Sequence, residues 1–430
     1  MKRYEIYKDS GIQWIGDIPG HWNVTRLKTV ISEHFSGCWG EDIQNDGNNY
    51  LCIRVADFNF DSQTISSEDN TYRHYTEKQV RSTSLKNNDL LLEKSGGSDK
   101  SPVGRVVVYK QKSNEVALFA NFCECLRIKK DQVPQFIAYL LKVVYMKTLM
   151  RQFYNQTTGL QNIDMSRYLG MKIILPPLDE QELIVAYLNQ KVNKIDVILS
   201  EKEAMVEQMQ QYRKSLISET VTRGLNPNVP MTDSGIDWIG QIPAHWVMVR
   251  LKYISNLQSG SNLTSEQIEE TGEYPVFGGN GLRGYYHDFN TEGDRVLIGR
   301  QGALCGNINY ASGKFWATEH AVVCHPIKQY NVMWLGSLLE IMNLNQYSIA
   351  SAQPGLSVDR IKQLEIPLPP FEEQEKIGSI IEKKDSDIKR TISELQSQIE
   401  DLRLYKSSII TEAVTGKVDL RDWKPSEENA

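Results

Sequence analysis

Two long stretches of this 430-residue chain have the hydrophobic spacing of amphipathic helices. From residue 179 to about 222, and from 372 to about 415, glycine and proline are almost absent and helix-forming residues dominate. In the second stretch aliphatic residues recur at coiled-coil spacing, at Ile388, Ile392, Leu395, Ile399, Leu402 and Ile409. The first stretch has a similar but less regular stripe, formed by Ile184, Leu188, Ile195, Leu199, Met205, Met209, Tyr212 and Leu216. A lone stripe of this kind is typical of a dimerisation helix, but two copies in one chain favour an intramolecular antiparallel pair.

The segments around these helices form an internal repeat. Residues 9–28 return as residues 233–252, and both copies contain the motif Asp-Ser-Gly-Ile-x-Trp-Ile-Gly-x-Ile-Pro-x-His-Trp. Residues 175–226 align without a gap on residues 368–419, and both copies begin with Leu-Pro-Pro-x-x-Glu-Gln-Glu. The repeats enclose two inserts, residues 29–174 and 253–367, which share no comparable run of identity. A chain that repeats its frame and varies its contents is expected to hold two different domains in one symmetric framework.

Both inserts have the pattern of α+β domains. Short β-type runs at residues 90–92, 106–108 and 295–298 alternate with glycine-containing turns, and helical patterns occur near residues 135–151 and 332–343. Cys123 and Cys125 are closely spaced, but no second Cys or His pair accompanies them. We therefore expect alternating residues of a buried strand there and no metal site.

The repeated motif itself carries aromatic and histidine residues that invite a functional interpretation. Trp14 and Trp22 in the first copy correspond to Trp238 and Trp246 in the second. We expect all four indole rings to pack where the chain enters each domain. His21 and His245 have no nearby nucleophile or carboxylate pattern, so we predict hydrogen-bonded structural histidines.

Composition limits the class of protein. With 40% hydrophobic and 24% charged residues, the chain is an ordinary globular one with enough length for two cores. Because the net charge is −6, any DNA-binding surface must concentrate its basic residues on one face or receive positive charge from a partner. Six cysteines, no signal-like start and no apolar run of about 18 residues indicate a cytoplasmic protein without a membrane span.

Polar, glycine-containing loops supply the candidate binding residues. Loops 93–105, 277–286 and 299–303 combine small residues, which let a backbone approach a polyanion, with side chains that donate hydrogen bonds to phosphates and bases. Loops 157–163 and 351–357 precede the two long helices at equivalent places. The predicted DNA-binding residues are Lys100, Arg105, Gln161, Asn162 and Arg167 in the first half and Asn280, Arg283, Arg300, Gln301 and Arg360 in the second.

Catalytic signatures do not accompany these loops. The sequence has no phosphate-binding G-x-x-x-x-G-K-[ST] loop, no Asn/Asp-Pro-Pro-aromatic motif of adenine methyltransferases, no G-x-S-x-G elbow and no H-E-x-x-H zinc helix. Taken together, these observations favour a non-catalytic subunit.

The two repeated motifs resemble those of the specificity subunit of type I restriction-modification enzymes. The resemblance covers nearly the whole chain, in the family's order of target recognition domain, helix, target recognition domain and helix. It implies two α+β target recognition domains separated by two long antiparallel coiled-coil helices with an internal pseudo-twofold repeat. The expected domains are residues 1–174 and 231–367, the expected helical segments are 175–226 and 368–420, and residues 421–430 form a tail.

The resemblance also implies a function. Such subunits read a bipartite double-stranded DNA site, one half-site per recognition domain, and assemble with two methylation subunits and two restriction or motor subunits. S-adenosylmethionine, ATP and Mg are expected in those partners, with no cofactor or metal in this chain. Two other functions stay open on the sequence, namely a stand-alone DNA-modifying or DNA-cleaving enzyme and a coiled-coil scaffold unrelated to DNA.

The length of the helices generates a prediction about the DNA site. Two domains that enter major grooves on one face of B-DNA lie about 34–36 Å apart, and a 44-residue helix of roughly 66 Å is long enough to enforce that distance. Inserting four residues near Glu207 should lengthen the first helix by about 6 Å, which is close to two base pairs. Methylome sequencing should show the same half-sites with a gap longer by up to two base pairs. An active enzyme with an unchanged gap would mean that the helices do not set the spacing.

Overall fold

The computed structural model describes residues 2–66, 69–111, 115–157, 159–302, 304–348 and 355–425. The chain divides into two compact units, one formed by Met1–Ser200 with Ile399–Ala430 and the other by Glu201–Gln398. Each long helix is divided between the units, because the division at residues 200 and 398 falls within both helices. Each unit therefore contains the start of one long helix and the end of the other.

The elements of the first half precede and include the first long helix. The strands are β1 (Tyr7–Asp9), β2 (Asp17–Pro19), β3 (Asn23–Arg26), β4 (Ile31–Ser36), β5 (Asn49–Ile53), β6 (Phe58–Asn59), β7 (Thr64–Ile65), β8 (Tyr72–His74), β9 (Leu90–Glu93), β10 (Ser95–Gly96), β11 (Val106–Val108), β12 (Ala117–Phe119), β13 (Cys123–Ile128), β14 (Tyr154–Thr157), β15 (Leu160–Ile163) and β16 (Lys172–Leu175). The α-helices are α1 (Glu77–Thr83), α2 (Pro134–Met146), α3 (Met165–Leu169) and α4 (Leu178–Arg223).

The second half repeats this order with fewer strands. Its strands are β17 (Met231–Asp233), β18 (Gln241–Pro243), β19 (Val247–Arg250), β20 (Ser255–Ser259), β21 (Tyr274–Gly278), β22 (Gly281–Tyr286), β23 (Thr291–Glu292), β24 (Arg295–Gly299), β25 (Ile308–Ala311), β26 (Lys314–Ala317), β27 (Ala321–Pro326) and β28 (Glu365–Leu368). Its α-helices are α5 (Val332–Ile341), α6 (Val358–Lys362) and α7 (Phe371–Val414). The predicted long helices and the strand runs at residues 90–92, 106–108 and 295–298 are confirmed.

The two inserts fold around sheets of the same topology although their sequences differ. A four-stranded sheet has the order β11-β9-β13-β4 in the first insert and β25-β24-β27-β20 in the second. Each insert also contains a parallel strand pair, β12 with β5 and β26 with β21. Cys123 and Cys125 lie buried on β13 in the core of the first insert, which confirms the strand predicted there. The α+β prediction is therefore confirmed for both inserts.

In both units the repeated motif fastens the insert to the long helices. Strand β3 pairs with β16, the strand directly before α4, and β19 pairs in the same way with β28 before α7. The Trp22 indole N–H donates to the Glu180 carboxylate at 3.1 Å, and Trp246 donates to Glu373 at 3.1 Å. The prediction of structural histidines is confirmed, because His21 and His245 contact these same carboxylates. Trp22 and Trp246 are buried as expected.

The first tryptophan of each motif packs less completely than the sequence predicted. Trp14 is half-buried, and Trp238 is 36% exposed. The structural role predicted for the tryptophan pairs is therefore clearest at Trp22 and Trp246. Only the second tryptophan of each pair reaches the helix carboxylate, which accepts its indole N–H.

Within each unit the long helices run antiparallel. In the first unit Asp196 of α4 pairs with Lys406 of α7, while Tyr187, earlier in α4, meets Trp423 beyond the end of α7 at 5.4 Å between ring centroids. In the second unit Lys202 donates to Gln398 at 2.6 Å, and Arg213 pairs with Asp385. The predicted seam of α7 is confirmed, because each of its residues is buried or half-buried at Ile388, Ile392, Leu395, Ile399, Leu402 and Ile409.

The predicted stripe of α4 is wrong at two positions. Met205 and Tyr212 are 44% and 53% exposed, whereas Val206, Met209 and Arg213 are half-buried. From Leu199 a step of seven leads to Val206, so Met205 falls about 100° away from the stripe. Arg213 continues the stripe, because its guanidinium pairs with Asp385 and Glu340. A charged residue therefore occupies a half-buried position of the helix seam.

A buried lysine joins the first insert to the long helices. Lys142 of α2 is 3% exposed, and its ammonium donates to the carbonyl of Asp61 at 2.6 Å. Lys406 of α7 donates to the same carbonyl and pairs with Asp196. Burial, and next the charge of Lys406, lower the pKa of Lys142 to about 8. The protonated Lys142 is therefore held in a site that disfavours its charge.

This depressed pKa predicts how stability changes with pH. Between pH 8 and about 10.5 the unfolded chain retains a proton on Lys142 that the folded chain releases, so folding stability rises with pH across that window. Relative to Lys142→Met, the wild-type protein should gain about 2 kcal/mol of unfolding free energy between pH 7.5 and 9.5. Urea unfolding at the two pH values measures the difference. Lys100→Met, at an exposed lysine, is the matched control, and parallel pH profiles for wild type and Lys142→Met would contradict the prediction.

Candidate DNA-recognition surfaces

In the first unit a three-stranded sheet of β10, β15 and β14, which precedes α4 in the sequence, carries polar side chains. Strand β15 lies between β10 and β14, which places Ser95 and Asn155 on either side of Asn162. The Ser95 hydroxyl donates to the side-chain Oδ1 of Asn162 at 2.7 Å, and the Arg167 guanidinium donates to the side-chain Oδ1 of Asn155 at 2.8 Å. The Asn162 carboxamide oxygen is thus engaged, and no partner is recorded among the described residues for its amide nitrogen. The face can therefore donate hydrogen bonds outward.

Arg167 and Lys100 are the accessible cations among the predicted residues of this half. Arg167 is half exposed and also pairs with Asp164 at 2.8 Å, and this bond holds the pKa of Asp164 below its usual range. Lys100 lies exposed in the turn that Ser98 and Ser101 close with backbone hydrogen bonds. Both side chains can reach a polyanion without unfolding any part of the insert.

Arg105 and Gln161 lie in different surroundings from the other predicted residues. The Arg105 guanidinium forms two hydrogen bonds with the buried Glu93 carboxylate, at 2.7 and 3.0 Å, and this pairing raises the Arg105 pKa. Gln161 has no exposed surface, and its carbonyl oxygen accepts from the backbone N–H of Val103 at 3.1 Å. Gln161 therefore supports the loop from beneath, where it is out of reach of DNA in this conformation.

In the second unit three of the predicted residues line one groove. Asn280, Arg283 and Gln301 surround a cleft of about 640 Å³ that His320 also lines. Asn280 lies in the turn between β21 and β22, and Gly281 follows it with a φ of +97°, a conformation that L side chains rarely adopt. Arg283 donates to the Ser265 hydroxyl at 3.2 Å. The groove offers guanidinium and carboxamide groups, which are groups that read base edges, with the His320 imidazole beside them.

Arg300 and Arg360 lie elsewhere in the second unit. Arg300 is half-buried and donates to the Ser259 hydroxyl at 3.3 Å, and no carboxylate is recorded within ion-pair distance of it in the part of the chain that the structure describes. Arg360 is exposed, and its guanidinium stacks over the Tyr347 ring at 5.4 Å. The structure therefore groups three of the five predicted residues and places these two outside the groove lining.

The two surfaces occupy equivalent places in the sheets. Directly after β9 the Lys94 N–H donates to the Phe122 carbonyl at 2.9 Å, and directly after β24 the Arg300 N–H donates to the His320 carbonyl at 2.9 Å. The next residue pairs with the segment before the long helix in both units, Ser95 with Asn162 and Gln301 with Gly355. Each insert therefore brings a loop after one central strand against the segment that precedes its helix.

Sequence reasoning missed several residues of these surfaces, among them Lys94, Ser95, Phe122, Asn155 and His320. Lys94 occupies the place of the predicted Arg300, and its ammonium pairs with the buried Glu124 at 3.1 Å. Although burial acts to raise the Glu124 pKa, hydrogen bonds from His34, Ser36 and Lys94 hold that pKa below its usual range. The equivalence of the two inserts was the signal that could have found these residues, but it is visible only in the strand pairing. Of the predicted loops, Thr158, Ala303 and residues 351–354 lie outside the described residues.

The described residues offer neither a metal-binding cluster nor a membrane-spanning helix. No group of three or more His, Cys, Asp or Glu side chains is placed to hold a metal ion in that part of the chain. Within the same residues no helix is long and apolar enough to cross a membrane.

Comparisons with known proteins agree with this geometry. The sequence profile described as the type I restriction modification DNA specificity domain matches residues 20–208 and 243–401. The EcoprrI type I restriction enzyme specificity subunit of Escherichia coli is 44% identical over 137 residues, which cover 31% of this chain and 34% of that relative. The MjaX type I restriction enzyme specificity subunit of Methanocaldococcus jannaschii is 23% identical over 437 residues, covering 97% of this chain and 99% of that relative.

A solved structure shares the fold over almost the whole chain. That structure describes the complex assembly and conformational transition of a type I R-M system. It superposes on this chain with a TM-score of 0.70 at 14% identity, and the match covers 93% of this chain and 99% of that one. The profile matches most of the sequence, so the chain belongs to the family of type I restriction-modification DNA specificity subunits. Its part is DNA recognition and not catalysis, and the family implies no catalytic cofactor in this chain.

The contrast between Arg105 and Arg167 is testable. Arg105→Met leaves the buried Glu93 carboxylate without its partner, so the free energy of unfolding should fall by about 2–4 kcal/mol. Arg167→Met removes an exposed pair and should cost about 0–1 kcal/mol of stability, while weakening DNA binding by the assembled complex. Urea unfolding and binding to target duplexes measure the two effects.

A double variant checks the cause assigned to the first loss. Glu93→Met with Arg105→Met removes both charges and should recover part of the lost stability. An Arg105→Met protein as stable as wild type would overturn the assignment.

Proposed function

We propose that each unit reads one half of a bipartite DNA site as part of a type I restriction-modification complex. One observation carries this proposal. Two inserts with the same sheet topology carry different side chains around equivalent strand pairings, a Ser95, Asn162 and Arg167 face in one and an Asn280, Arg283 and Gln301 groove in the other. Two surfaces of equal placement and different chemistry suit two different half-site sequences.

The predicted residues take different parts in this proposal. Asn162, Asn280 and Gln301 carry the carboxamides that we assign to base edges, and Arg283 adds a guanidinium in the same groove. Lys100, Arg167, Arg300 and Arg360 are assigned to phosphates, because lysine and arginine supply most phosphate contacts. Gln161 and Arg105 are assigned to supporting the loops that hold these residues, in keeping with their bonds to Val103 and Glu93.

The partners follow from the family and not from features of this chain. We infer that two methylation subunits, which bind S-adenosylmethionine, and two restriction or motor subunits, which use ATP and Mg, assemble with it on DNA in the cytoplasm. These partners would also supply positive charge that a chain of net charge −6 lacks. We retain residues 1–174 and 231–367 as the recognition domains and residues 175–226 and 368–420 as the helical segments.

A domain exchange tests the proposal. Replacing residues 253–367 with the corresponding insert of a relative should change one half of the methylated site and leave the other half unchanged. Methylome sequencing of cells that carry the full system measures both halves at once. Replacing residues 29–174 is the matched control and should change the opposite half.

The outcomes separate the competing functions. If both half-sites changed after a single exchange, the two units would not read DNA independently. If the purified chain alone modified or cut DNA, it would be an enzyme, and if the complex methylated DNA without sequence preference, the chain would not be its specificity component.

A further inference from the structure

In each insert the loop before one central strand of the corresponding four-stranded sheets, β13 or β27, ends in an exposed ring. Phe122 precedes β13 and is 49% exposed, and His320 precedes β27 with a side chain that is 41% exposed. The backbone fixes both residues in the same way, because their carbonyls accept the N–H groups of Lys94 and Arg300 at 2.9 Å. The two rings therefore project from equivalent points of the two inserts.

These points adjoin the two candidate recognition surfaces. Lys94 and Ser95 follow Phe122 across the backbone hydrogen bond, and Ser95 leads directly to Asn162. His320 lines the groove together with Asn280, Arg283 and Gln301. An exposed ring in this place is accessible to a molecule that binds the neighbouring polar side chains.

The two rings differ in what they can contact. Phe122 has no polar atom, so among the groups in the major groove it suits the thymine methyl. The Nε2 atom of His320 lies 3.2 Å from a Glu319 carboxylate oxygen, and a carboxylate only accepts hydrogen bonds. This contact engages Nε2 and leaves Nδ1 for a hydrogen bond with a base edge.

We propose that Phe122 and His320 each determine one base pair of the half-site that their unit reads, Phe122 by contact with a thymine methyl and His320 by a hydrogen bond between its imidazole and a base edge. This inference rests on the proposed function, since it needs both units to face DNA. It adds two specificity-determining residues that charge and glycine patterns in the sequence do not mark.

Methylome sequencing of cells with the complete system tests both residues. Phe122→Ala should relax one thymine-containing position of the first half-site, and His320→Ala should relax one position of the second. Each variant should leave the other half-site unchanged. Val116→Ala and Ile327→Ala, at exposed apolar residues of the same two inserts, are the matched controls and should leave the whole site unchanged.

Binding of the purified complex to modified duplexes tests the methyl contact itself. Deoxyuridine in place of the thymine at the relaxed position should weaken wild-type binding by about fivefold and should not weaken binding by Phe122→Ala. Equal losses in wild type and variant, or a relaxed position that holds no thymine, would overturn the assignment of Phe122. A His320→Ala complex with unchanged specificity would overturn that of His320.

The failure of this inference can be told apart from failure of the proposed function. If the wild-type complex methylated DNA without sequence preference, the proposed function would be wrong. If the wild-type complex was selective and both variants kept its full site, only the inference would be wrong. Thermal unfolding of each variant confirms that an unchanged site comes from a folded protein.

Discussion

The rest of the structure depends on a carboxylate at the start of each long helix, which is buried at Glu180 and half-buried at Glu373. Glu180 and Glu373 each accept a tryptophan indole N–H from the repeated motif, and hydrogen bonds to charged groups contribute about 1.5–3 kcal/mol. In each unit the same tryptophan packs beside a glycine at the end of the other helix, Gly416 for Trp22 and Gly224 for Trp246. One indole ring therefore holds a helix start, a helix end and an insert together, which explains why the motif is repeated almost unchanged.

The helix seam uses charge where the pattern of apolar residues is interrupted. Arg213 and Lys406 occupy corresponding positions of the repeat, and each pairs with an acidic residue of the facing helix segment. They differ in what the insert presents to them. Glu340 pairs with Arg213, whereas Lys142 lies near Lys406 and shares the Asp61 carbonyl with it. The same framework thus accepts an insert that presents an acidic side chain to the helices and an insert that presents a basic one. In the first unit the basic side chain, Lys142, has a lowered pKa.

The candidate recognition surfaces reflect the same division between the repeated segments and the inserts. Strand pairing fixes where a loop lies, as in the pairs of Ser95 with Asn162 and Gln301 with Gly355, but it leaves the side chains free to vary. Varying those side chains alters the chemistry of the surface without altering the sheet beneath it. This separation lets one fold carry two surfaces of different chemistry in a single chain.

The sequence by itself determined the two long helices, the internal repeat and the strand runs of the inserts, because periodicity and repetition are local properties of a chain. It placed Met205 and Tyr212 in the seam wrongly, because the helical phase beyond Leu199 depends on which face the partner helix covers. Only the tertiary structure decided which predicted site residues are accessible. Gln161 and Asn162 are neighbours, yet one is buried and the other exposed, since adjacent residues of a strand point to opposite faces. Glu93 likewise engages Arg105 across a β-hairpin, a pairing that no spacing in the sequence reveals.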